Sequence, residues 1–124
     1  MNGIIRKASI NDADAMAELD RICFTLPWSR QAFLQELSNE AAFYIVAVTA
    51  GKIIGYAGMW SIIDEGHITN LAVHPEHRRM GLGEMMLSEM IRISEEDGIL
   101  QHTLEARESH EPAIGPYKKQ RFKI

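Results

Sequence analysis

Between a β-branched run that ends at Val73-His74-Pro75 and a helical pattern that starts at Leu82, the chain carries Arg78-Arg79-Met80-Gly81-Leu82-Gly83. Two glycines at the mouth of a helix let backbone N–H groups approach and face an anion, and the helix N-terminus adds about half a positive charge. Arg78 and Arg79 supply cationic donors whose shape suits phosphate oxygens. No Gly-Lys-Ser/Thr follows, so this is not a Walker loop, and the spacing differs from the three-glycine dinucleotide pattern. The functional reading is a pyrophosphate cradle. The bland alternative is a glycine turn beside two solvated arginines.

The flanking patterns set the order of elements. Ile4 to Lys7 reads as a short strand running into Ser9, Asn11 and Asp12, whose oxygens suit a helix cap, followed by Met16, Leu19, Ile22 and Cys23 at helical spacing. Ser29 is placed to cap a second helix, with Trp28 and Phe33 as a hydrophobic staple and Leu34 and Leu37 extending the apolar face. Ala42 to Val48 and Lys52 to Ser61 read as a hairpin about Thr49-Ala50-Gly51. A third strand is expected over His67 to Val73, after a turn at Asp64-Glu65-Gly66 and before Pro75, which cannot donate to a ladder. The next helix shows Leu82, Met85, Met86, Met90 and Ile93 on one face and Gly98 at its end. A strand from His102 to Ala106 and a last helix opened by Glu111-Pro112 complete the series. The order β, α, α, β, β, β, α, β, α predicts an α/β domain with an antiparallel sheet in the middle.

A length of 124 residues predicts one domain over 1–124, able to hide roughly two thirds of its unfolded surface. The lone cysteine, Cys23, rules out an internal disulfide framework and suits a reducing compartment. No run approaches the length of a membrane span and Met1 to Ile10 lacks a signal-peptide stretch, so a cytoplasmic protein without a membrane partner is expected. With 13 basic and 17 acidic side chains the net charge is -4, which argues against broad nucleic-acid binding.

Arg78-x-x-Gly81-x-Gly83, preceded by Asn70-Leu71-Ala72-Val73-His74-Pro75, resembles the acetyl-CoA loop of the GCN5-related N-acetyltransferases. Cys23-Phe24-Thr25-Leu26-Pro27-Trp28-Ser29 and Ile68-Thr69-Asn70-Leu71-Ala72-Val73 are similar to the bacterial ribosomal-protein-alanine N-acetyltransferases, and the likeness runs from about Ile4 to Tyr117. The resemblance implies a mostly antiparallel central sheet flanked by helices and acetyl-CoA as co-substrate. It implies, as acceptor, the N-terminal alanine of a small-subunit ribosomal protein. The backbone of Leu71, Ala72 and Val73 would meet the pantetheine arm and the thioester carbonyl. Arg78, Arg79, Met80, Gly81, Leu82 and Gly83 would hold the pyrophosphate. His110 stands where the family has a cofactor-binding asparagine.

Acetyl transfer needs a neutral amine and a proton for the departing thiolate. An α-amino group titrates near 7.7 to 8.0, so a modest base reaching it through water suffices. By resemblance Glu105 is that base, and Tyr117, twelve residues on, is the acid. Strand alternation is expected to put Leu104 and Ala106 on one face with Glu105 and Arg107 on the other. No metal is expected: His74-Pro75-Glu76-His77 has a ligand-like spacing but a proline within it and no third ligand.

The last residues depart from the family. Pro116 inside a helix begun at Pro112 would cost about 3 kcal/mol, so the expectation is a delayed start at Pro116, shifting Tyr117. Arg121 replaces a helix-closing glycine, and a chain ending at Ile124 predicts a sheet without its last two strands. Two alternatives therefore stay open: a short relative that binds acetyl-CoA or a partner without catalysis, and an acetyltransferase for another amine.

Overall fold

The computed structural model describes residues 3–78 and 81–108, with residues 105–108 described by backbone alone. Strand β1 (Ile4–Lys7) leads through a 3-10 turn (Ile10–Asp12) into helix α1 (Ala13–Cys23) and helix α2 (Arg30–Leu37). Strands β2 (Ala42–Thr49), β3 (Lys52–Ile62) and β4 (Glu65–Val73) follow. A second 3-10 turn (Pro75–His77), helix α3 (Leu82–Glu96) and strand β5 (Gln101–Glu108) complete the order. The five strands form one sheet in the order β1-β2-β3-β4-β5. Neighbours are antiparallel as far as β4: α1 and α2 lie between β1 and β2, whereas short turns join β2 to β3 and β3 to β4. β5 joins β4 in parallel because α3 makes the crossover. This is the expected α/β architecture.

Both faces of the sheet are covered. Ile45, Ala57, Met59, Leu71 and Val73 pack with Leu82, Met86, Leu87 and Met90 of α3. Val46, Tyr56 and Ala72, one residue out of phase, pack with Met16, Leu19 and Phe33 of α1 and α2. Alternate side chains point to opposite faces, so strands buried on both sides read as continuous apolar runs.

Local signals held at α2. Ser29 Oγ accepts from Ala32 N at 3.1 Å, and the Trp28 and Phe33 rings lie 5.4 Å apart as a staple. Three readings need correction. Asp12 does not cap α1 with its side chain; its carboxylate takes the Ser9 N–H and both terminal nitrogens of Arg6. Met85 is exposed and Ile93 half-buried, because the buried stripe of α3 is centred on 82-86-90 and 83-87-91. The β3–β4 turn is Ile63-Asp64, so β4 begins at Glu65. Gly66 serves packing instead of the turn: a Cβ there would lie 2.6 Å from the Met59 sulfur.

Candidate active site

The C-terminal end of β4 carries the site. His74 N donates to Ile54 O of β3 at 2.8 Å. Successive peptide groups of a strand point to opposite edges, so Val73 directs its N–H and C=O toward the β5 side. There the Val73 carbonyl accepts from Arg78 Nε at 3.0 Å and from the Cys23 thiol at 3.4 Å. Leu71, expected on an open edge, instead pairs with Glu108 of β5. Its side chain and that of Val73 lie in the core on the α3 face, and Ala72 is buried on the α1–α2 face.

Both ladders of β4 break register at one place. Toward β3, Met59 pairs with Ile68 and Gly58 with Asn70, which leaves Thr69 as an extra residue whose hydroxyl donates to Gly58 O at 3.4 Å. Toward β5, Ile68 pairs with Leu104 and Asn70 with Arg107, so Glu105 and Ala106 together face Thr69. Bulges of this kind re-aim a strand and gather near functional sites. The alternation expected from Leu104 through Arg107 concerns side chains that, from residue 105 on, lie outside the described residues. The backbone of Glu105 lies beside the bulge; its side chain lies outside the described residues.

On the α2 side of this bulge lies a polar group that sequence reasoning missed. Asn70 Nδ2 donates to Tyr44 Oη at 3.0 Å, Tyr44 Oη donates to Glu36 Oε1 at 2.7 Å, and Trp60 Nε1 donates to the same oxygen at 2.9 Å. Burial, with the Glu36 carboxylate adding to it, pushes the Tyr44 phenol well above its usual range. Beside this group, His67 Nδ1 and Thr103 Oγ1 lie 2.7 Å apart on paired positions of β4 and β5. Aromatic and amide residues in otherwise apolar runs were the only signal in the sequence.

The cradle follows. Gly81 has φ +77, and a Cβ built on it meets nothing within 4 Å among the described residues. Its carbonyl accepts from Met85 N at 3.0 Å and so starts α3. The Leu82 side chain is buried, which leaves its N–H, and that of Gly83, to the helix mouth. Arg79, Met80, His110 and Tyr117 lie outside the described residues, as does the expected helix from Pro112. The His74 and His77 rings are 5.8 Å apart, and no group of three metal-ligating side chains occurs among the described residues.

Residues 13–122 match the acetyltransferase (GNAT) family. The chain belongs to this family. A Bacillus subtilis relative, provisionally named a [ribosomal protein bS18]-alanine N-acetyltransferase, is 36% identical over 116 residues, covering 93% of this chain and 77% of its own length. The crystal structure of the ribosomal-protein-S18-alanine N-acetyltransferase from Escherichia coli superposes with a TM-score of 0.82 at 27% identity. It covers 94% of this chain and 75% of that one. The PaiA N-acetyltransferase of Thermoplasma acidophilum, solved with coenzyme A, shares the fold with a TM-score of 0.81 at 23% identity, covering 96% and 89%.

This GNAT chain is an acetyl-CoA-dependent N-acetyltransferase. The residues present fit the co-substrate. A fifteen-residue helix starts at a left-handed glycine with, among the described residues, nothing within 4 Å of a Cβ built on it, as a close-approaching pyrophosphate requires. A strand edge at Val73 lies just before that loop. Acetyl-CoA supplies the activated acetyl group.

Proposed function

We propose that this N-acetyltransferase acetylates the α-amino group of the N-terminal alanine of a small-subunit ribosomal protein. The observation that carries the reading is the likeness to the Bacillus subtilis and Escherichia coli ribosomal-protein-alanine enzymes across more than nine tenths of the chain. Residues 1–124 act as one acetyltransferase domain in this reading. A cytoplasmic location is part of this reading, supported by the proposed acceptor and the lone cysteine.

Glu105 is the general base, acting through water on an amine that is already partly neutral near pH 7. Its backbone position beside the bulge supports this role. Tyr117 returns a proton to the thiolate, and His110 takes the place of an amide at the cofactor. The cradle from Arg78 to Gly83, with Arg79 and Met80, holds the pyrophosphate. An N–H on the β4 edge polarises the thioester carbonyl.

The test incubates the purified chain with acetyl-CoA and a peptide carrying the ribosomal N-terminal alanine, following thiol release and peptide mass. Acetylated peptide is expected, and Glu105→Gln should lower kcat while leaving coenzyme A affinity in place. Absence of product at high enzyme concentration, beside an active relative, overturns the assignment. Acetylation of a different terminus in a peptide panel overturns the acceptor alone.

A further inference from the structure

We propose that Glu36 and Tyr44 are positioning residues for acetyl transfer: through the Asn70 amide they hold the β4 bulge and so aim the strand edge that meets the thioester. The inference rests on the reading of the β4 edge at Val73 as the thioester site.

The ladder itself holds this part of β4 weakly. Register breaks on both sides at Thr69, so the direction of the strand there depends on side chains as well as on its neighbours. Asn70, the next residue, is 1% exposed and its amide is tied to Tyr44. The hydrogen-bond directions are forced. An indole N–H and an amide NH2 only donate, and an ionised carboxylate only accepts. Tyr44 must therefore accept from Asn70 and give its one proton to Glu36, which also receives Trp60. Its raised pKa keeps that proton in place over the working pH range.

A second observation ties the same ring to the bulge. Gly58 lies opposite Asn70 in the ladder, and a Cβ on it would fall 2.3 Å from a Tyr44 ring carbon. The ring lies directly on the backbone whose carbonyl accepts from Thr69. Apolar packing alone asks only for a phenylalanine here. The buried hydroxyl has a purpose only through its partners, Glu36 on α2 and Asn70 on β4, which it ties together from β2.

The experiment binds acetyl-CoA labelled with 13C at the thioester carbonyl and reads its stretch by isotope-edited infrared spectroscopy. In the wild type the band should lie below that of free acetyl-CoA, the sign of a hydrogen bond to the carbonyl. Tyr44→Phe and Glu36→Ala should return it toward the free position and lower kcat by about tenfold or more, with KM for acetyl-CoA unchanged. Glu36→Gln should keep the shifted band, because its amide oxygen accepts from the same two donors. Glu36 is half-buried on α2, so its variants decide the matter even where Tyr44→Phe folds poorly. A wild-type band at the free position sinks the thioester reading and the relay with it. A wild-type shift that persists in Tyr44→Phe and Glu36→Ala sinks the relay alone.

Discussion

Arg78 Nε donates to the main-chain carbonyl of Val73 at 3.0 Å, on the edge of β4 that faces away from β3. The guanidinium thereby straps the start of the anion loop onto the strand end that precedes it. Lysine cannot copy this, because its ammonium lacks a planar fork with a donor at the ε position. Arg78→Lys and Arg78→Ala should both lower stability by about 1.5–3 kcal/mol, the range for hydrogen bonds to charged groups. Both should also weaken coenzyme A binding. Urea denaturation and calorimetry check the two effects, and a lysine variant that matches the wild type in both would remove the strap.

Gly81 separates backbone strain from steric filling. At φ +77 any L side chain is strained, by about 1–2 kcal/mol, although no atom of the described residues lies within 4 Å of a Cβ there. Gly81→Ala should lose about that much stability, Gly81→Asn less and Gly81→Val more. Coenzyme A affinity should fall steeply in the valine variant, whose branches occupy the space left for the phosphate. Thermal unfolding with and without coenzyme A gives both numbers; a valine variant with unchanged affinity would show that the loop is no cradle.

The Arg6–Asp12 pair makes stability depend on acid. Arg6 donates to both carboxylate oxygens, at 2.9 and 3.0 Å, and this holds the Asp12 carboxyl below its ordinary value near 3.8. A lowered folded-state pKa means that the contribution is complete above the unfolded value and disappears as pH falls through the folded one. The stability difference between wild type and Arg6→Gln should therefore be constant above about pH 5 and shrink toward zero in stronger acid. Denaturant midpoints measured across pH check this. A difference that grows on acidification would reverse the sign and refute the pairing.

The parts of the fold that were legible in the sequence are those set by neighbouring residues. The α2 cap at Ser29, the Trp28–Phe33 staple and the glycine before α3 each depend on a few consecutive positions. What escaped depends on pairs far apart in the chain. Gly66 looks like a turn glycine until the Met59 sulfur is seen above it. Thr69 and Glu105 look like ordinary strand residues until β3 and β5 are placed beside β4 with their registers. Asp20, fully buried, finds Tyr56 Oη at 2.5 Å and Trp28 N at 2.8 Å, partners that no helical period announces. The relay from Asn70 through Tyr44 to Glu36 links three elements, β4, β2 and α2, and has no local signature at all.

The β3–β4 turn offers a route to a more stable enzyme. Ile63 has φ +58 and is 95% exposed, so a β-branched side chain occupies the left-handed region with no burial to offset the strain. Asparagine tolerates this conformation, and it also removes an exposed apolar group. Ile63→Asn should therefore gain about 1 kcal/mol, a shift of roughly 3–5 °C for a domain of this size. Ile63→Gly should gain less, because glycine relieves the strain but gives the unfolded chain more freedom. The turn lies at the opposite end of β4 from the anion loop, so kcat should not change. Calorimetric melting of the three proteins tests the order; a melting temperature for Ile63→Asn at or below that of the wild type would show that the turn carries no strain.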